Sequence, residues 1–330
     1  MDVTSMHYLI PALEGGGATA VAWTGSGHAG DPDLRIDIDA LHERVGGKFE
    51  LTIPGFRLPP GRVTALIGPN GSGKSTLLSY LLGMRTATRG SIRVLGHQPG
   101  KLPIRERVRI GVQLQDAGYN DIYLVRDIRK LHQAAYPRSR DDVFQAFGVT
   151  ELGASRFGSL SSGEKQRVQL AMAMAHGPDL MIFDEPTSNL DPHFEGVFCE
   201  LLRKQAAENA TLACLFVSHS PRAVAVCDDV LFLRAGGVEH YGRKEVVVDD
   251  MFGSVGCSFT GRAEARAAVE RALASVPDIR ARRTRDETLT VHGGEGLREA
   301  ASAAARNIEL DRFMVWSTDA SDLLESIKND

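Results

Sequence analysis

The chain has 330 residues, 43% hydrophobic and 24% charged, enough apolar material for one large core or two smaller ones. A formal charge of −4 argues against a nucleic-acid binder, which needs a basic excess. Cys199, Cys214, Cys227 and Cys257 form no CxxC pair, so neither a zinc site nor a redox motif is expected, and they read as buried apolar residues of a reducing compartment. The N-terminus lacks a basic start followed by an apolar run, and no stretch approaches the roughly 18 apolar residues of a membrane span. The expected location is cytoplasmic, and any membrane role must come through a partner.

In chain order, residues 1–33 are glycine-rich and read as a flexible extension. Leu34, Ile36 and Ile38, then Phe49, Leu51 and Ile53, alternate around Gly46-Gly47, which predicts antiparallel strands. Val63–Ile67 is a buried-strand candidate that runs into glycines. Beyond it helices are expected at Ser75–Leu82, Ser161–His176, His193–Glu208 and Pro221–Cys227, alternating with strands at Ile110–Leu114, Leu180–Phe183, Leu212–Val217 and Val230–Leu233. Such alternation implies an α/β fold with parallel strands over residues 34–254. Composition shifts near residue 253. Over 255–330 the order strand, helix, hairpin, helix, strand predicts a small ferredoxin-like α+β module. Its charge run, Arg280, Arg282, Arg283 and Arg285, reads as a solvated strand face.

Gly68-Pro69-Asn70-Gly71-Ser72-Gly73-Lys74-Ser75-Thr76 satisfies GxxxxGK[ST] between a strand and a helix. Its glycines let backbone N–H groups approach a polyphosphate, with the helix N-terminus adding positive potential. Lys74 reaches the β and γ phosphates, and Ser75 places its hydroxyl on Mg²⁺. The apolar run Leu180–Phe183 ends in Asp184-Glu185. A buried parallel strand delivers such residues to the ligand edge of the sheet, so Asp184 is expected beside the Mg²⁺. Strand alternation then turns Glu185 to the opposite side, where it can polarise an attacking water. Leu160-Ser161-Ser162-Gly163-Glu164 opens an Ala- and Met-rich helix. Ser161 with Glu164 fits a capping box, and the bare Gly163 leaves an anion-binding tip.

With these segments in order, residues 34 to 250 resemble the ABC ATPase family. Gly68–Thr76 resembles its Walker A loop, Gln115 its Q-loop glutamine, Leu160–Glu164 its signature, and Leu180–Glu185 its Walker B strand with the catalytic glutamate. Ser188–Asp191 resembles its D-loop and His219 its switch histidine. The resemblance implies a P-loop NTPase core with an antiparallel β subdomain and a helical subdomain, binding ATP and Mg²⁺. It implies that two copies, identical or not, pair head to tail beneath integral membrane permease subunits at the inner face of the cell membrane. Ser161, Ser162 and Gly163 would then meet the γ phosphate held by the partner's loop. Asp191 would link the two sites, Gln115 would ligate Mg²⁺ or water, and His219 would hold the γ phosphate and Glu185 in register.

Three positions depart from the family pattern. Ser162 replaces a glycine. Glu164 replaces a glutamine, so its carboxylate is expected to turn toward its capping partner. Val45 stands where an adenine-stacking aromatic is usual, leaving His42 or Phe49 to substitute. Residues 255–330 resemble the C-terminal extension of some export ATPase subunits. Tyr119, Ile122, Tyr123 and Leu124 either dock a membrane partner or form core. The rival readings are a non-transport ABC ATPase and a regulatory nucleotide switch.

Overall fold

Alternating apolar residues build two long strands, β1 (Ile36–Val45) and β2 (Phe49–Leu58), paired antiparallel in the computed structural model, which describes residues 31–327 apart from 32, 48 and 116. The extension expected over residues 1–33 lies outside the described residues except for Asp31 and Asp33. Ala40 has φ 54°, and the burial alternation shifts by one there with no change of register against β2, so that Ile36 and Ile38 before it and Leu41 after it are all buried. Gly46 and Gly47, at φ 60° and 78°, supply the left-handed conformations that this hairpin connection requires.

The described chain forms two compact units, one ending at Gly242 and the other beginning at Arg243. The first continues through β3 (Val63–Ile67), α1 (Lys74–Leu81), β4 (Ser91–Val94), α2 (Ile104–Arg107) and β5 (Ile110–Gln113). Next come α3 (Val125–Ala135), α4 (Asp141–Ala146), α5 (Ser162–Ala175), β6 (Leu180–Asp184) and α6 (Pro192–Glu208). The unit ends with β7 (Ala213–Val217), α7 (Pro221–Ala225), β8 (Asp229–Arg234) and β9 (Gly237–Arg243). Nine strands form one sheet in the order β4-β1-β2-β9-β8-β3-β7-β6-β5. The run from β8 to β5 is parallel and buried on both faces, which explains why β3, β6 and β7 read as unbroken apolar runs rather than alternating ones. The β4-β1-β2 wing is antiparallel. Helices α3, α4 and α5 pack together as the helical subdomain. The α/β architecture expected from the sequence is the one observed.

The second unit comprises α8 (Lys244–Phe252), β10 (Val255–Thr260), α9 (Ala263–Ala272), β11 (Ile279–Arg285), β12 (Thr288–Gly293), α10 (Gly296–Asn307), β13 (Arg312–Ser317) and α11 (Ala320–Ile327). Its sheet is antiparallel in the order β11-β12-β10-β13, the ferredoxin-like arrangement expected. Val255, Cys257, Phe259, Leu289 and Val291 pack with Val269, Leu273, Leu297 and Ala301 into a separate core. Helices α8 and α11, not foreseen from periodicity, pack on each other, and Asp322 of α11 is hydrogen-bonded to His292 of β12.

Candidate active site

The loop between β3 and α1 is shaped by close backbone approach. Gly68 sits at φ 150°, and a Cβ there would stand 2.1 Å from the Leu233 carbonyl oxygen, so no other residue fits. The Lys74 side chain folds back over the loop, and its Nζ donates to the Gly68 carbonyl at 2.7 Å and to the Pro69 carbonyl at 3.0 Å. An ammonium group carries three protons, so one remains for an anion in the loop. Burial lowers the Lys74 pKa, while the nearby Glu185 and Asp184 oppose that shift. Ser72 Oγ is buried with no hydrogen-bond partner, an orphan polar atom inside the cradle. Asn70, Gly71 and Ser75 are exposed, with Pro69 and Thr76 half-buried beside them.

Three parallel strands bring the acidic and imidazole groups to this edge. Asp184, the last residue of β6, pairs in register with Val217 of β7 and is 8% exposed. The next residue, Glu185, adopts φ 51°, and its amide donates to the Val217 carbonyl at 3.1 Å. The side-chain direction of Glu185 is thus set by a left-handed residue and not by strand pleat, the reason offered from sequence alone. Non-glycine residues in this region are strained by about 1–3 kcal/mol and cluster at functional sites. His219, two residues past β7, places Nε2 3.8 Å from Glu185 Oε1. Gln115 lies exposed two residues beyond β5, at the same carboxyl edge.

The signature tip is a separate feature of the fold. Ser161 caps α5 through the predicted box: its Oγ accepts from the Glu164 amide at 3.3 Å, and Glu164 Oε2 accepts from the Ser161 amide at 2.8 Å. The Glu164 carboxylate therefore turns back onto its cap, as expected, and these hydrogen bonds hold its pKa below the usual carboxylate range. Ser161 and Ser162 are exposed. A Cβ on Gly163 would stand 2.7 Å from the Asn189 carbonyl oxygen, so the signature glycine packs directly on the Ser188–Asp191 turn. Asp191 caps α6, accepting from the His193 and Phe194 amides at 2.9 and 3.0 Å. Helix α5 packs on β5, α3 and α4, whereas α1 packs on β4 and β6.

Two residues were missed in the sequence. Gln166 is buried on α5, and its Nε2 donates to the carbonyls of Glu185 at 3.3 Å and Pro186 at 2.9 Å. A polar residue on the same helical stripe as Leu170 and Ala173 was the available signal. Gln113, 2% exposed, has neither amide atom hydrogen-bonded and lines a cavity of about 380 Å³ with Val112, Tyr119, Tyr136 and His176. At the aromatic position, Val45 pairs across the hairpin with Phe49, whose ring lies against Gly73 of the loop, while His42 is engaged with Thr52 Oγ1 at 2.8 Å. Ile122 and Tyr123 are 64% and 52% exposed, which excludes a core role for them within the described chain.

A family model described as ABC transporter matches residues 51–188. The Nod factor export ATP-binding protein I of Rhizobium johnstonii is 32% identical over 229 residues, covering 67% of this chain and 73% of that protein. The tungstate uptake system ATP-binding protein TupC of Peptoclostridium acidaminophilum is 29% identical over 212 residues, covering 62% of this chain and 97% of that protein. A solved structure described as an ATP binding subunit of an ABC transporter superimposes with a TM-score of 0.58 at 25% identity, covering 66% of this chain and 91% of that one.

Proposed function

Because this chain belongs to the family of ABC transporter ATP-binding proteins, we propose that it is the ATPase subunit that drives a separate integral membrane permease, hydrolysing MgATP between two head-to-tail copies. The observation that carries this reading is the convergence of Lys74, Asp184, Glu185 and His219 at one sheet edge beside an anion cradle.

The geometry supports the following roles. Backbone N–H groups of Asn70, Gly71 and Gly73 and the remaining ammonium proton of Lys74 take the β and γ phosphates. Ser75 and Asp184 offer hard oxygen donors. Together with Gln115 they would hold Mg²⁺, an ion that favours oxygen ligands. When bound there, the ion would neutralise charge developing on the phosphates. Glu185 orients and deprotonates the attacking water, with His219 close enough to fix its carboxylate once the γ phosphate is in place. The exposed tip Ser161-Ser162-Gly163 meets the γ phosphate held by the other copy, and Asp191 beside it relays between the two sites. Val45 gives the base an aliphatic contact in place of ring stacking, so a weaker hold on the base is expected.

Among the described residues no helix is long and apolar enough to cross a membrane. Exposed Ile122 and Tyr123 are the surface proposed for a membrane partner, with Gln115 reporting nucleotide state to it. Relatives named for export and for uptake both match; the lean to export rests only on the resemblance of residues 255–330 to the C-terminal extension of export subunits. Turnover of Glu185→Gln tests the catalytic assignment: a fall of at least 100-fold with retained ATP binding is expected, and wild-type turnover excludes Glu185 as the base. The same variant should dimerise in ATP, and a persistent monomer at saturating ATP counts against the paired site.

A further inference from the structure

The turn that carries His219 is held from the side by a helix of the same chain. His219 lies between Ser218 and Ser220, and the Ser220 amide donates to Ser218 Oγ at 3.0 Å, closing a bracket around the histidine. Ser220 also caps α7, its Oγ accepting from the Ala223 amide at 3.2 Å. A hydroxyl has one proton to give beside the lone pairs that accept. That proton goes to Oε1 of the half-buried Glu195, 25 residues back in the first turn of α6. A second link lies beside the first. Arg222 Nη1 donates to the Pro192 carbonyl at 2.6 Å, and its guanidinium lies flat over Gly196, where a Cβ would stand 2.5 Å from Nη2 and 3.0 Å from Cζ. The His219 turn and the start of α6 are therefore joined at two points.

What this joint sets is a distance. His219 Nε2 stands 3.8 Å from Glu185 Oε1, outside hydrogen-bond reach, so a shift of a few tenths of an ångström in the turn decides whether the imidazole closes on the carboxylate. The first turn of α6 follows Asp191, which caps it, and the Ser188–Asp191 turn carries the carbonyl against which Gly163 packs. We propose that Glu195 is a positioning residue for His219: through the Ser220 hydroxyl it fixes where the imidazole stands relative to Glu185, and it couples that placement to the Asp191 turn. The inference rests on the ATPase reading above, in which His219 acts on the γ phosphate and on Glu185. A carboxylate in the first turn of a helix also stabilises that helix by its charge alone, so the test separates the charge from the hydrogen bond.

Steady-state ATP turnover of the full chain reads the difference. Glu195→Ala should lower kcat about ten-fold with KM for ATP within about two-fold of wild type. Glu195→Gln removes the charge and keeps an acceptor for the Ser220 hydroxyl, so its kcat should stay within about two-fold of wild type. Glu195→Asp keeps the charge and withdraws the acceptor by one methylene. It should be slower than Glu195→Gln, the reverse of what a helix-charge role requires, and this pair carries the test should Glu195→Ala fail to fold. In a His219→Ala background, Glu195→Ala should bring no further fall, because residues that act through one group are not additive. Equal falls in Glu195→Gln and Glu195→Ala overturn the proposal, as does an additive fall in the double variant or wild-type kcat in Glu195→Ala. Wild-type turnover by His219→Ala strikes the role of His219 in the ATPase reading and this proposal with it. A slow His219→Ala beside a fast Glu195→Ala strikes this proposal alone.

Discussion

The side-chain amide of Gln166 on the signature helix donates to the carbonyl of Glu185 at 3.3 Å, tying α5 to the one residue of the acidic pair that adopts a left-handed backbone. The same amide donates to the Pro186 carbonyl at 2.9 Å, so the two peptides that flank Pro186 are held from one point. Gln166 never reaches the phosphate loop in this role; it sets the aim of a neighbour. Gln166→Ala should lower kcat about ten-fold, with KM for ATP within two-fold of wild type. Gln166→Glu, which cannot donate when ionised, should do the same or worse. A change confined to KM would assign Gln166 to nucleotide binding instead.

Gly163 is packed against the turn that ends in Asp191. Placing a methyl group 2.7 Å from the Asn189 carbonyl oxygen forces the helix tip or the turn to move. Gly163→Ala should cost about 1–2 kcal/mol in denaturant unfolding and abolish ATP-dependent pairing while leaving monomeric ATP binding intact. Retained pairing would mean that the tip tolerates displacement and does not contact nucleotide.

His132 gives the first unit an acid sensitivity. Its Nε2 donates to the Met172 carbonyl at 2.8 Å, and Nδ1 faces the Ser139 hydroxyl at 3.2 Å, an arrangement that suits the neutral ring. Burial, reinforced by His176, pushes its pKa down from 6.5 to about 4. The unfolded chain therefore binds this proton first as pH falls. Stability is intact above pH 6.5 and declines between 6.5 and 4, by a total of about 3 kcal/mol. Denaturant melts across that window should show the slope, and His132→Gln should flatten it.

In the second unit, Asp322 accepts from Trp316 Nε1 at 3.0 Å, from the Asp319 amide at 2.8 Å and pairs with His292 Nε2 at 2.9 Å. Burial pushes its carboxyl up, but hydrogen bonds from His292, Asp319 and Trp316 outweigh that and hold the pKa below the usual range. The stability it confers is present above the unfolded pKa and lost as pH falls through the folded one. Asp322→Ala leaves buried donors unsatisfied and should release α11, with about 2–4 kcal/mol lost. Limited proteolysis should then cut after residue 318, while ATP turnover by the first unit persists.

The amino-acid sequence alone determined the motifs and their chain order, because phosphate binding demands small residues, a lysine and a hydroxyl at fixed spacing. It also determined both hydrophobic patterns: the runs of β3, β6 and β7, buried on two faces, and the alternating residues of β1 and β2, buried on one. Tertiary structure alone decided where Glu185 points, since a left-handed backbone at that position depends on the hydrogen bond to Val217 and the brace from Gln166, both distant in sequence. It also decided that Gly163 and Asn189 touch. Such placements arise from long-range packing between segments, and local periodicity carries no record of them.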